Sequence, residues 1–266
     1  MQPFPQVVRI EPAGRCNFKC RHCPIKNLRG LLSLDDFRRI FDSLPFVPRV
    51  LVLYHGGESL LNKELEQMIA YAKEKGVKWT VLNTNASLIR ALSGLDEMRV
   101  SFDGDSAEEN NFIRVGGNFA KHAPKVKALA QAGQRITIYN ARVSSGEAME
   151  PAKYLTDYFG DLVKYRTEPM RLWASQDKAL EGHEFIEKPT GAIFCSNLME
   201  TFTVLANGDV PKCCEDLNGE DIYGNVFTES PQRIWENMQN IRYGFTKQIY
   251  PEQCKTCWVV AGRYVK

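Results

Sequence analysis

Cys16-Asn17-Phe18-Lys19-Cys20-Arg21-His22-Cys23 spaces three cysteines three and then two residues apart. Three thiols this close on one loop cannot all be core residues, because each would need the same small volume. Soft thiolates within one turn of chain suit metal binding, and an iron–sulfur cube is their usual guest. A cube has four iron corners, so three cysteines leave one iron open, as a catalytic cluster requires. Zinc would need a fourth ligand, for which His22 is the candidate within the loop. Disulfides would need an oxidising compartment.

Outward from this loop, strand and helix signals alternate. The apolar stretch Val7-Val8-Arg9-Ile10 leads directly into the cysteines. Residues 49–54 form a continuous apolar run, the kind buried on both faces of a parallel sheet. Further strands are expected at 79–82, 98–102, 136–139 and 162–165. Ser33, with Asp36 three residues on, reads as a helix start, and Leu34, Phe37, Ile40 and Phe41 give that helix an apolar face. A second helix is expected over 65–75, stopped by Gly76, and others over about 88–94, 119–132 and 147–159. Six βα repeats predict an α/β fold, a parallel sheet curved into an open barrel with its functional loops at the strand C-termini.

The C-x3-C-x2-C loop after an apolar strand resembles that of the radical S-adenosylmethionine (SAM) enzymes, and the alternation resembles their partial (βα)6 barrel. In that family SAM chelates the open iron, and an electron from the cluster splits it to a 5′-deoxyadenosyl radical. His55-Gly56-Gly57-Glu58, after the second strand, resembles the family's motif for the SAM amino group. The resemblance implies that Gly56 and Gly57 let the backbone approach SAM and that Glu58 receives its ammonium. Ser101-Phe102-Asp103-Gly104 and Asn111-Phe112-Ile113-Arg114-Val115-Gly116-Gly117 follow the fourth strand. There the family places a group against the SAM ribose, here Ser101, and an arginine against its carboxylate, here Arg114. Asp103 also reads as a residue turning its own backbone, since Asp-Gly is a turn signal. His22 stands where the family often has an aromatic residue beside the adenine; a solvated loop histidine is the bland reading. Asn83-Thr84-Asn85 faces the same end of the barrel.

Beyond residue 166 the periodicity fades into a charged bridge, 167–193, carrying Arg171, Lys178 and His183. A second cysteine set then appears, Cys195, Cys213, Cys214, Cys254 and Cys257, around Val204-Leu205-Ala206-Asn207-Gly208-Asp209-Val210-Pro211, which reads as a hairpin about Asn-Gly. Cys195, Gly208, Cys213 and the stretch Ile222-Tyr223-Gly224-Asn225-Val226 with Ile234-Trp235 resemble the family's SPASM module in its shortened, twitch form. The resemblance implies one auxiliary 4Fe–4S cluster held by Cys195, Cys213, Cys254 and Cys257, with Cys214 spare; zinc on the same four thiolates is the rival. The expected division is a barrel over 1–166, the bridge, and an auxiliary-cluster module over 194–266.

A net charge of +2, 44% apolar and 25% charged residues exclude a strongly electrostatic partner, so neither nucleic acid nor membrane is expected. The N-terminal residues lack a signal peptide's long apolar core, and clustered reduced cysteines point to the cytoplasm. The leading expectation is a radical SAM oxidoreductase with SAM, a SAM-binding [4Fe–4S] cluster and a second [4Fe–4S] cluster that accepts the substrate's electron, fed by a reductant such as flavodoxin or ferredoxin. Dehydrogenation of a small alcohol of the aminocyclitol type is favoured, with Arg171, Lys178 or His183 as base by location. The other readings are a maturase of a ribosomal peptide, made less favoured by the 15 residues before Cys16, and an epimerase with Cys214 as hydrogen donor. A non-catalytic, metal-stabilised binding protein is the reading from another class.

Overall fold

The computed structural model describes residues 3–26, 29–143, 150–173 and 182–265. Its barrel half runs β1 (Val7–Ile10), α1 (Leu34–Asp42), β2 (Val50–Val52), α2 (Leu65–Glu74), β3 (Trp79–Thr84), β4 (Glu97–Ser101), α3 (Ala107–Ile113), α4 (Phe119–Gln131), β5 (Ile136–Arg142), α5 (Lys153–Phe159) and β6 (Lys164–Pro169). The C-terminal half contributes β7 (Phe185–Glu187), α6 (Ser196–Met199), β8 (Thr201–Val204), β9 (Asp209–Pro211), β10 (Ile222–Asn225), α7 (Pro231–Asn237), α8 (Gln239–Thr246), α9 (Glu252–Thr256) and β11 (Arg263–Val265).

Strand order in the main sheet is β6-β5-β4-β3-β2-β1-β8, and every pairing in it is parallel. One face of the sheet is apolar. Val8, Ile10, Leu51, Leu53, Leu82, Met98, Val100, Ile136 and Ile138 pack there against the helices. Each such side chain contributes roughly 1.5–3 kcal/mol by leaving water. The opposite face carries Arg9, Tyr54, Arg99 and Tyr139, which touch one another. Helix α1 starts as expected: Asp36 N donates to Ser33 Oγ at 3.0 Å, and Phe37, Ile40 and Phe41 are buried.

Three expectations are corrected. The Asn207-Gly208 turn forms, with Leu205 N donating to Asp209 O at 2.8 Å, but its limbs part. Strand β8 joins the main sheet beside β1, with Thr203 opposite Arg9, while β9 pairs antiparallel with β10. The exposed edge of β1 offers β8 a longer ladder than a short hairpin could. No helix forms over 88–94, where Ala86 at φ 68° and Gly94 at φ 77° turn the chain instead. The helix expected over 147–159 begins at Lys153, because Pro151 disfavours helical backbone just before it; residues 147–149 lie outside the described residues. Helix α3, unforeseen, occupies the motif after β4, capped by Ser106. Among the described residues no helix is long and apolar enough to cross a membrane.

Candidate active site

Strand β1 ends at Ile10, Glu11 follows it, and the chain returns at Arg29. Between them the cysteine loop is zipped at its base, with Gly14 N donating to Gly30 O at 2.9 Å and Arg29 N to Gly14 O at 2.8 Å. Its outer part is stitched to the residues after α3: Lys19 N donates to Val115 O, Arg21 N to Ile113 O, and the Arg21 guanidinium lies 4.2 Å over the Phe112 ring. Cys16 Sγ accepts from Phe18 N at 3.4 Å and from Asn85 Nδ2 at 3.7 Å. Sulfur serving as acceptor is what a ligand thiolate needs. Burial pushes the loop thiols up, Cys20 to about 11, so taking up a metal releases protons.

Cys16, Cys20 and Cys23 share one cavity of about 270 Å³ with His22, Gly56, Gly57, Glu58, Asn83, Thr84, Asn85, Ser101 and Arg114. Each SAM-contact residue expected from sequence is therefore at one place. The glycines, however, approach the chain itself. A side chain at Gly57 would collide with the carbonyl oxygens of Ala13 and Arg15, and Glu58 N donates to Arg15 O at 2.9 Å. The Gly-Gly-Glu turn thus seats the cysteine loop. Glu58 is buried and already accepts from Thr84 Oγ1 (2.8 Å), Leu60 N (3.1 Å) and Asn85 N (2.7 Å). A carboxylate has about four acceptor positions, so room for one further donor remains. Asp103 does not turn its own backbone; it is buried and pairs with Arg114 Nη1 at 2.6 Å, and His22 Nε2 lies 3.9 Å from it. His22 is partly buried, and that burial lowers its pKa. Arg114 Nε is buried without a partner among the described residues, a donor left for an incoming carboxylate.

The C-terminal half closes over this loop. Asn218 accepts from Lys26 N at 2.8 Å and donates to Pro24 O at 3.1 Å. Buried Glu11 is a hub: Arg29 holds it at 2.8 and 2.9 Å, and Gly56 N and Ala206 N donate to it. Arg29 in turn donates to the carbonyls of Leu217 and Asn218. Cys195, Cys213, Cys214, Cys254 and Cys257 are all buried and unbridged. Burial raises their pKa values, and Cys195, Cys254 and Cys257 sense one another's charge. Lys212, next to Cys213, reaches Gln253 beside Cys254 at 2.8 Å. Among the described residues no three His, Cys, Asp or Glu side chains converge as one ion requires. A cube asks for a wider spread, since each thiolate caps a different iron, and the partly exposed loop and the buried second set carry unbridged thiols of the kind it needs.

A model of the Radical SAM superfamily matches residues 10–156, more than half of the chain. This chain belongs to the radical SAM superfamily. A model described as an iron–sulfur cluster-binding domain, the SPASM domain, matches residues 195–258. Among curated relatives, the AdoMet-dependent heme synthase of Nitratidesulfovibrio vulgaris is 27% identical over 148 residues, covering 51% of this chain and 40% of that one. The PqqA peptide cyclase of Rhodopseudomonas palustris is 32% identical over 134 residues, covering 46% and 35%. The chain thus spans less than half the length of these relatives. The crystal structure of BtrN with AdoMet and 2-DOIA superposes with a TM-score of 0.60 at 16% identity, covering 93% of this chain and 89% of BtrN, and so shares its fold. Membership gives this radical SAM enzyme SAM, a SAM-binding 4Fe–4S cluster and a further iron–sulfur cluster in its SPASM domain.

Of the bases expected in the bridge, Arg171 lines the cavity, His183 is exposed and does not, and Lys178 lies outside the described residues. Arg171 carries a guanidinium, which offers N–H donors and no acceptor, so it suits a donor's role and not a base's. Sequence reasoning missed Tyr54, Tyr139, Arg166, Glu168 and Trp173, which line the same cavity. Their signal is a polar residue inside an apolar strand, as Tyr139 within Ile136-Thr137-Ile138-Tyr139.

Proposed function

We propose that this radical SAM enzyme oxidises an organic substrate, with an alcohol carbon as the favoured target. When bound, SAM and the first cluster would supply the radical chemistry that removes a hydrogen atom from carbon, and the second cluster would supply an acceptor for the electron released as the carbonyl forms and the hydroxyl proton leaves. Cys16, Cys20 and Cys23 hold the first cluster; Glu58, Ser101 and Arg114 orient SAM, with His22 and the Gly56-Gly57 turn beside them. Cys195, Cys213, Cys254 and Cys257 hold the second cluster and fill all four of its corners. The observation that carries this reading is the buried, all-cysteine second set, joined to the first loop through Asn218. A centre with no open iron suits electron transfer over substrate ligation. Two clusters with one thiol, Cys214, left unbridged suit the reducing cytoplasm, with flavodoxin or ferredoxin as electron donor.

A peptide substrate is the second reading, favoured by the likeness to a protein named a peptide cyclase. Epimerisation through Cys214 is separated by solvent label. Turnover in heavy water of a secondary alcohol, or of a precursor peptide, is followed by mass spectrometry. Oxidation yields a product two hydrogens lighter, without solvent deuterium on carbon, and Cys214→Ala keeps most activity. Deuterium at the reacting carbon with an inactive Cys214→Ala protein would overturn oxidation.

A further inference from the structure

One end of the cavity is walled by Tyr54, Tyr139, Arg166, Glu168, Arg171 and Trp173. Barrel interiors are normally filled by branched apolar side chains; this layer is charged and aromatic. Behind the wall, Arg9 and Arg99 extend an alternation of guanidinium and phenol. Arg9 lies 4.5 Å over the Tyr54 ring, and Arg99 Nη1 donates to Tyr54 Oη at 3.1 Å. Arg99 and Arg166 stand 5.4 and 5.3 Å from the Tyr139 ring, and Arg166 Nη1 donates to Tyr139 Oη at 3.3 Å.

The inventory of donors and acceptors decides what this end can bind. A guanidinium only donates, and a phenol both accepts and donates one hydrogen. Each tyrosine oxygen already accepts from an arginine, and among the described residues nothing accepts from either hydroxyl. Glu168 is the one carboxylate on this wall among the described residues, and two arginines share it: Arg166 on Oε1 and Arg171, 3.4 Å away, on Oε2. Glu97 is occupied by Arg99 at 3.1 Å. Among the described residues Arg9 has no carboxylate within ion-pair distance, and its buried Nε has no partner. Glu215, whose charge Arg9 senses, is off this wall; Asn197 engages its Oε1 at 3.1 Å and its buried Oε2 has no partner among the described residues. Donors thus outnumber acceptors, and the Trp258 ring, 4.4 Å from the Arg171 guanidinium, holds one of them in place.

We propose that this end of the cavity binds an anionic group of the substrate, a carboxylate or a phosphate, between Arg166, Arg171 and the hydroxyls of Tyr54 and Tyr139. The assignment rests on the proposed function, with the substrate taken into the cavity that the cysteine loop lines. An acceptor-only group satisfies the open donors of Arg166, Arg171 and the two hydroxyls at once, whereas an ammonium would find only Glu168, a carboxylate already shared by two arginines. Charge-assisted hydrogen bonds of this kind are about twice as strong as neutral ones.

The test uses the reconstituted chain with oxidised clusters and SAM bound, titrated anaerobically in a calorimeter. The probes are succinate, inorganic phosphate, and succinamide as the neutral isostere of succinate. One of the anions is expected to bind at least about tenfold more tightly than succinamide, and the tighter anion names the source of the charge. Arg166→Gln should weaken that anion by about tenfold and Tyr139→Phe by about threefold. Tyr139→Phe removes only a hydroxyl, so it keeps the test decisive if Arg166→Gln folds poorly. Equal binding of succinate and succinamide, or an anion affinity unmoved by Tyr139→Phe and Arg166→Gln, overturns the proposal. Deoxyadenosine formation after adding dithionite reads the radical chemistry separately; its failure counts against the proposed function and leaves the anion result standing.

Discussion

His55 is held neutral by its surroundings. Burial is the main cause, the cations Arg9 and Arg29 add to it, and Glu11 only partly opposes it, so its pKa falls to about 4. Its Nε2 faces the Asp216 carbonyl at 3.3 Å. The unfolded chain takes up a proton near pH 6.5 that the folded chain refuses until about 4. Stability is therefore present above about 6.5 and lost as pH falls toward 4, by up to about 3 kcal/mol. Urea unfolding across this range should show the fall, and His55→Gln should flatten it; an equally steep fall in the variant would assign it to other groups. Glu58 gives a second expectation at this scale. Glu58→Ala should weaken SAM binding by about tenfold to a hundredfold, as measured by anaerobic equilibrium dialysis. It should also lower the melting temperature, because three internal hydrogen bonds go with it. Unchanged SAM affinity would remove Glu58 from the site. Residue types at these positions were legible because three cysteines, two glycines and a glutamate admit few chemistries. What Gly57 approaches was not, since the carbonyls it makes room for stand some forty residues earlier in the chain.

Among the elements, the segment from β9 to β10 does the most for its length, because it carries Cys213 and also presents Asn218 to the cysteine loop. Asn218→Ala removes both bonds to Pro24 and Lys26, each worth about 1 kcal/mol. SAM should then bind about fivefold more weakly, with iron content unaltered; undiminished SAM affinity would show that the loop keeps its shape unaided. The strands of the barrel were readable as apolar runs because both faces of a parallel strand are covered. Strand β8 was not. Thr201-Phe202-Thr203-Val204 alternates like any half-buried strand, and the Asn-Gly turn beside it offers a plausible local partner, while the true partner is β1. The expected helix over 88–94 failed for the converse reason: Leu88, Ile89, Leu92 and Leu95 have helical spacing, yet Leu88 ends up exposed and the chain turns at Ala86 and Gly94.

Over the whole molecule, two cubes imply about eight irons and eight sulfides per chain after anaerobic reconstitution. Replacing Cys16, Cys20 and Cys23 together by alanine should halve that and abolish SAM cleavage; four irons plus one zinc in the unaltered chain would remove the second cube. The two cysteine sets were visible in the sequence as two centres. Their mechanical union through Glu11, Arg29 and Asn218 was not, because each of those residues is an ordinary polar residue until the fold brings it to its partner. The pairing of β8 with β1 adds a consequence for biogenesis. The outer edge of β1 stays bare until residues 201–204 leave the ribosome, and the clamp on the first metal loop arrives later still. A nascent chain stopped before that point carries an unpaired sheet edge, a template for aggregation. Delivery of iron to the first three cysteines is accordingly best timed after synthesis has passed residue 218, when the loop that receives it is held on both sides.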